Sequence, residues 1–438
     1  MEKTTKRKFY LTLVIFSLIG QIAWVVENMY FNVFIYKMFG ATPTDISNMV
    51  MASAISATVT TLIVGAFSDK VGKRKIFICL GYILWGVSIL SFALIRKDII
   101  GAIFPTAVSV SAICVTLVII LDCLMTFFGS SANDACFNAW LTDVTTSENR
   151  GSAEGINSMM PLMAILVVFG GFMGFSLEKP EEWSLIFTII GVAVILIGIL
   201  GFFIIDEPKI QTEESGNYFK NILYGFRPSV IKENKMLYVF LGCFAIFGIS
   251  IQIFMPYLII YYEKTLQMND YVFIMAPAII LAGVFTFFWG KAYDKYGFNF
   301  SIVVSIALLT LGYIVLIFFT NKALVFIGSL LMMCGYLSGM AVFGAIIRDK
   351  TPENKSGMFQ GLRIVGQVLI PGIIGPFIGK LVLKNAETIV NSDGTTSFLP
   401  NQNIFTAALA ALIALMVLIL LVIIYSMKKE NKLKNEEK

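Results

Sequence analysis

Long apolar runs, separated by short polar loops, dominate the chain. A membrane-spanning helix needs about 20 apolar residues. Runs of that order predict helices over 9–36, 46–67, 76–95, 110–141, 153–177 and 184–205. A second series follows over 236–262, 271–292, 299–319, 323–347, 357–383 and 403–427. The longest polar stretch, residues 206–235, separates the two series. The pattern predicts an all-α membrane protein of 12 transmembrane helices, in two six-helix bundles, 1–205 and 236–438, joined by a linker over 206–235. Within the linker, "NYFKNILYGF" predicts a short amphipathic helix lying on the membrane surface. Residues 98–110 are apolar but short, and predict an outer re-entrant or interfacial piece.

Charge orients these helices. Hydrophobic residues make up 57% of the chain and charged ones 14%, against roughly 25% charged in a soluble domain. Of the 33 Lys and Arg residues, 24 fall in the segments that share a side with the termini, 8 fall on the other side and Arg363 lies within a span. Positive charge stays on the cytoplasmic side, so both termini and the linker are expected there, in a bacterial-type cytoplasmic membrane. The net charge of +5 then reflects topology, and no nucleic-acid partner is expected. The first apolar run is long enough to span and lacks a small-residue cleavage site, so it is expected to be retained.

The six cysteines form no CxxC pair and lie in or beside apolar runs, which suits packing. The chain has no histidine. That removes the commonest metal ligand and leaves proton chemistry to carboxylates. No metal or cofactor is expected.

The two halves repeat each other locally. "GAFSDKVGKRK" (65–75) follows the second span, and "GKAYDKYGFNF" (290–300) follows the eighth. Gly65, Asp69, Lys70 and Gly72 match Gly290, Asp294, Lys295 and Gly297. "AWLTDVTTSENRG" (139–151) and "AIIRDKTPENKSG" (345–357) end the fourth and tenth spans. Repeated six-span halves are a transporter architecture, with the solute site between them near the midplane. The loop after span 2 resembles the signature of the major facilitator superfamily. That resemblance implies its fold, with two pseudo-symmetric halves, and a cytoplasmic latch. Asp69, Arg74 and Asp294 are the candidate gating residues.

Helical spacing then sorts the polar residues within spans. At about 100° per residue, Gln21, Asn28 and Asn32 fall within about 20° of one line, with Trp24 on its shoulder. Glu27 lies about 120° from Gln21. Asp134 aligns with Ser130, Phe137 and Asn138, while Asp122 points elsewhere. Gln360, Arg363 and Gln367 form a stripe in span 11, and span 7 supplies Gln252, Tyr257 and Tyr261 around a kink expected at Pro256. Amides, aromatics and a few charges suit a polyhydroxylated or zwitterionic solute. The same amides also serve as glue between helices. The candidate solute residues are Gln21, Trp24, Asn28, Asp134, Asn138, Gln252, Tyr257, Arg363 and Gln367. Glu27 and Asp134 are the candidate coupling residues.

"NDACFNAWLTDVTTSENRG" resembles the end of span 4 in the glycoside–pentoside–hexuronide:cation symporters, the family that includes melibiose permease. The resemblance implies a sugar-binding acid at Asp134 and a second solute position at Gln21. The sodium-using members carry two acids in span 2 where this chain has Ala57 and Thr61, so a proton is expected ahead of sodium as the coupling cation. The leading expectation is a secondary active transporter for a small polar solute, a sugar or glycoside, working as a monomer among membrane lipids. A drug or metabolite exporter of the same fold is the alternative, since many carry an acid in span 1. A non-transporting sensor also remains open. An enzyme would need a reactive cluster that the chain lacks, and primary active transport would need a phosphate-binding GxxxxGK[ST] loop, which is absent.

Overall fold

The computed structural model describes residues 3–145, 149–207, 224–352, 361–390 and 396–436, with the backbone alone described for 3–6, 66, 69, 150, 151, 154, 224 and 425–436. Among the described residues, 11 helices are long and apolar enough to cross a membrane. Spans 1 to 7 are Arg7–Phe39, Pro43–Gly65, Arg74–Phe92, Val110–Val144, Gly155–Phe172, Pro180–Ile204 and Lys235–Thr265. Val272–Phe318 is one continuous run of 47 residues, but Gly297 breaks it with φ 74° and ψ −178°. It therefore holds spans 8 and 9. Spans 10 to 12 are Lys322–Lys350, Gly361–Val382 and Asn403–Ile424. The twelve-span expectation stands, as an all-α membrane fold.

Local chemistry sets the helix ends. Pro43 occupies the first turn of span 2, and Thr42 and Asp45 cap it reciprocally at 3.2 and 2.8 Å. Gly72 ends that helix in a left-handed conformation, φ 68°. Asn321 caps span 10 by accepting from the Leu324 amide at 2.8 Å. The predicted interfacial piece is a short helix, Lys97–Ile103, with Ile103, Phe104 and Val108 exposed. The "NYFKNILYGF" helix lies almost wholly outside the described residues; its last three residues, Tyr224–Phe226, form a 3-10 turn.

Two compact units emerge. The first comprises Met1–Tyr224 with Glu387–Leu399, and the second Gly225–Ala386 with Pro400–Lys438. In the first, spans 3 and 6 touch backbone to backbone: a Cβ on Gly86 would lie 2.6 Å from Gly191 O. Only glycine allows that approach. Phe31, Phe34, Phe92, Trp183 and Phe187 fill the adjacent core, with centroids 4.6 to 5.8 Å apart along the cluster. In the second unit Phe244, Phe247, Phe298 and Phe343 play the same part.

The segment 387–399 belongs to the first unit although spans 11 and 12, on either side of it, belong to the second. It carries two strands, β1 (Thr388–Val390) and β2 (Thr396–Phe398), paired antiparallel with Ile389 opposite Ser397. Tyr36, near the end of span 1, donates its hydroxyl to Phe398 O at 2.7 Å and sets its ring edge-on against the Phe398 ring. Nothing in the hydropathy pattern or the motifs anticipates this hairpin.

Candidate functional site

Span 1 is not a uniform α-helix. Val26–Tyr30 forms a π-turn, and Glu27 sits in it. A π-turn carries one more residue than an α-turn and rotates the remainder of the helix by about 100°. The expected Gln21–Asn28–Asn32 line is therefore broken. Gln21 is half-buried, Asn28 is exposed and Asn32 is buried. Asn28 and Asn32 donate to backbone carbonyls four residues earlier, at 2.8 and 3.1 Å.

The same turn aims Glu27 into the bundle, where it is 7% exposed. Its Oε1 accepts from Ser53 at 2.6 Å and from Thr126 at 3.0 Å. The two hydroxyls are 2.9 Å apart. Glu27 thus joins spans 1, 2 and 4. Sequence reasoning misses Ser53 and Thr126, because a lone hydroxyl in an apolar run looks like packing. Asp122, one helical turn before Thr126, is 2% exposed and lies within electrostatic reach of Glu27.

A second π-turn, Ser130–Phe137, carries Asp134. Ser130 donates to its Oδ2 at 3.0 Å, and Asn133 donates to its Oδ1 at 3.3 Å. Tyr82 of span 3 lies 2.9 Å from Asn133 Oδ1 and from Phe16 O, tying the turn to spans 1 and 3. Trp24 packs against Trp85, centroids 5.0 Å apart, over Gly129. Its indole N–H is near the Asp134 carboxyl without completing a hydrogen bond of ordinary geometry. Asn138 is exposed and donates to Asp134 O at 3.1 Å. Asp134, Trp24 and Asn138 are thus brought together, as the spacing implied for Asp134 and Asn138.

In the second unit, Arg363 donates from Nε to Gln367 Oε1 at 3.3 Å, and both are half-buried. A π-turn, Val365–Leu369, holds Gln367. Gln360 lies outside the described residues. The break predicted at Pro256 is present as a 3-10 turn, Met255–Tyr257, followed by a π-turn, Tyr261–Thr265. Gln252 is half-buried with its backbone tight against Gly375, while Tyr257 is wholly buried with its ring against Gly379.

The loop after span 2 is held from below. Arg74, 5% exposed, donates from Nε to Asp143 Oδ2 at 3.0 Å and from Nη1 to Ser68 at 2.6 Å. Glu207 accepts from the Arg74 and Lys75 backbone amides at 2.5 and 3.3 Å. The Asp69 side chain lies outside the described residues. In the second unit Asp294 is exposed, and Tyr293 donates to Asp349 at 2.6 Å. In the repeat, Ser68 matches Tyr293 and Asp143 matches Asp349. The same aspartate at the end of spans 4 and 10 is therefore anchored in both halves, by different donors.

Elsewhere in the first unit a cavity of about 350 Å³ opens beside Arg96, Asp98, Glu181 and Trp183. Arg96 donates to Asp98 at 3.0 and 2.9 Å and to Glu181 at 2.9 Å. These bonds hold the Asp98 carboxyl below its usual range. The Arg96 cation is thus already paired with two carboxylates.

A family model described as Major Facilitator Superfamily matches residues 10–376 and again 279–438. No curated protein sequence matches. Among solved structures, a mutant of the nucleoside transporter NupG superposes with a TM-score of 0.70 at 12% identity, over 94% of this chain and 98% of its own. A bacterial homologue of the human lysosomal transporter Spinster, inward-facing and occupied, gives a TM-score of 0.70 at 14% identity, over 96% and 97%. At these identities the likeness is one of fold.

Proposed function

Since the chain belongs to the Major Facilitator Superfamily, we propose that it moves a small polar solute across the cytoplasmic membrane by cation-coupled symport with alternating access. That it is a transporter and not an enzyme follows from the family. The observation that carries the finer reading is the Asp134 carboxyl. It is held in an interrupted turn of span 4 by Ser130 and Asn133, with Trp24 beside it. A carboxylate kept inside a membrane bundle is costly and marks a solute or ion path. A fixed acceptor next to an aromatic face suits a hydroxyl-rich ring. Sugars and glycosides are the class to test first. Nucleosides, which are themselves glycosides, belong in the panel because NupG is a nucleoside transporter of the same fold.

The coupling cation loads at Glu27. In a histidine-free chain a carboxylate is the group to hold either a proton or a hard cation, and Asp134 is the alternate carrier. Asp69, Arg74 and Asp294 act on the conformational exchange, with the Arg74–Asp143 bridge as the anchor of the first loop.

The test is uptake of a panel of radiolabelled glycosides and nucleosides into proteoliposomes under imposed pH and Na⁺ gradients. Accumulation of one member under either gradient, abolished in Glu27→Gln while solute exchange continues, is the expected result. Accumulation by Glu27→Gln equal to wild type removes Glu27 from coupling. Expulsion of solute against an inward cation gradient replaces symport with efflux antiport.

A further inference from the structure

We propose that Glu27, Asp122, Ser53 and Thr126 form a binding site for a sodium ion within the first unit, where spans 1, 2 and 4 meet. The proposal rests on the transporter reading and names the cation that the coupling residue handles.

The donor set is oxygen throughout. Glu27 Oε1 takes hydrogens from both Ser53 and Thr126, at 2.6 and 3.0 Å. Each hydroxyl oxygen is left with lone pairs to offer. Among the described residues Glu27 Oε2 and Asp122 Oδ1 are buried with no hydrogen-bond partner, on side chains 7% and 2% exposed. Asp122 and Thr126 are four residues apart on one helix, which places them on the same face. Asp122 thus shares the face of span 4 from which Thr126 reaches Glu27, and the two carboxyls interact electrostatically.

Charge makes the arrangement incomplete. The ionisable groups that act on this pair are themselves acidic: Asp134 acts on Glu27, and the Cys123 thiol borders both carboxyls. Two buried carboxyls in mutual reach do not both stay ionised alone: they hold a proton or share a cation. Spans 2 and 4 are locked together one residue away, where Ser56 donates to Cys123 O at 2.9 Å.

Carboxylate and hydroxyl oxygens select hard cations. Glu27, Asp122, Ser53 and Thr126 offer neither nitrogen nor sulfur, the ligands that most transition metals prefer. Calcium takes 6 to 8 oxygens and favours bidentate carboxylates, whereas Glu27 has one oxygen left to give. Magnesium keeps most of its water and suits phosphate-bearing sites. A singly charged ion that exchanges in each cycle fits four oxygens and leaves the remainder to water.

The test is thermal unfolding of the purified protein in detergent, at one pH and one ionic strength, with NaCl, LiCl, KCl or choline chloride. A ligand that binds only the folded state stabilises it by mass action, so Na⁺ at about 100 mM raises the midpoint if the dissociation constant is near millimolar. The expected result is a shift of several degrees in Na⁺ over choline, lost in Asp122→Asn and in Glu27→Gln, reduced in Ser53→Ala and intact in Asp270→Asn. Identical wild-type midpoints in Na⁺ and choline overturn the proposal without any variant. So does a shift that survives in both carboxyl variants. Solute uptake driven by a pH gradient and indifferent to Na⁺ removes the sodium site and leaves the transporter. A Na⁺ shift in a protein that moves no solute of the panel removes the proposed solute class and leaves the site.

Discussion

Gly72 and Gly297 hold matching places in the two halves, and both turn the chain through positive φ, 68° and 74°. Their ψ values differ, 21° at Gly72 and −178° at Gly297. The first is left-handed helical, which asparagine tolerates; the second is a region open almost only to glycine. Gly72→Ala should therefore destabilise by about 1–2 kcal/mol and Gly72→Asn by much less. At Gly297 alanine and asparagine should both cost about 1–3 kcal/mol, although a Cβ there meets nothing within 4 Å. Thermal midpoints of the four variants decide this. Rescue by asparagine at both sites would contradict the difference in ψ.

Arg74 and Asp143 should respond unequally to mutation. Arg74 is 5% exposed and Asp143 28%. Removing the acid takes one carboxylate away from a buried guanidinium, whereas removing the base leaves an acid that water can reach. Asp143→Asn should thus lower stability more than Arg74→Met, in line with the cost of stranding a buried charge. Equal losses would mean that the ion pair with Asp143 is not what holds Arg74 in place.

Asp134→Asn should weaken equilibrium binding of the transported solute about tenfold or more, since a hydrogen bond to a charged group contributes about 1.5–3 kcal/mol. Ser130 and Asn133 both donate to this carboxyl, so one of the two donors would face the new amide NH₂. Isothermal titration or scintillation proximity binding gives the answer. An unchanged dissociation constant takes Asp134 out of the solute site.

Cysteines placed at Val390 and at Ser229 should react with impermeant maleimides from opposite sides of the membrane. Val390 is 75% exposed. Five native cysteines are buried and Cys123 is half-buried, so background labelling should be low. Labelling of both new sites from one side would refute the orientation read from the Lys and Arg distribution.

The spans, the repeat and the break at Pro256 were legible because hydropathy, glycine and proline act on the backbone wherever they stand. The π-turns were not. One inserted residue leaves hydropathy unchanged, yet it rotates Asn28 and Asn32 away from Gln21 and turns Glu27 inward. The candidate site was legible as a set of charged residues and not as a geometry. Asp134 with Asn138, and Arg363 with Gln367, were found from i to i+4 spacing. Asp122 stands out as a charge but on a different face from Asp134, and that other face is the one that meets Glu27. Ser53 and Thr126 carry no signal until their helices are packed.

The hairpin of β1 and β2 bears on the order of assembly. Chain synthesis delivers spans 1 to 6 first, yet the first unit also includes Glu387–Leu399, which is made after span 11. Until then the Tyr36 hydroxyl lacks Phe398 O, its buried acceptor. The repeated halves are thus alike as helices, but the first takes in a segment from the far end of the chain. A chain cut at the central linker yields an amino-terminal piece that is missing its last two strands, and adding residues 225–438 in trans supplies them along with the second bundle.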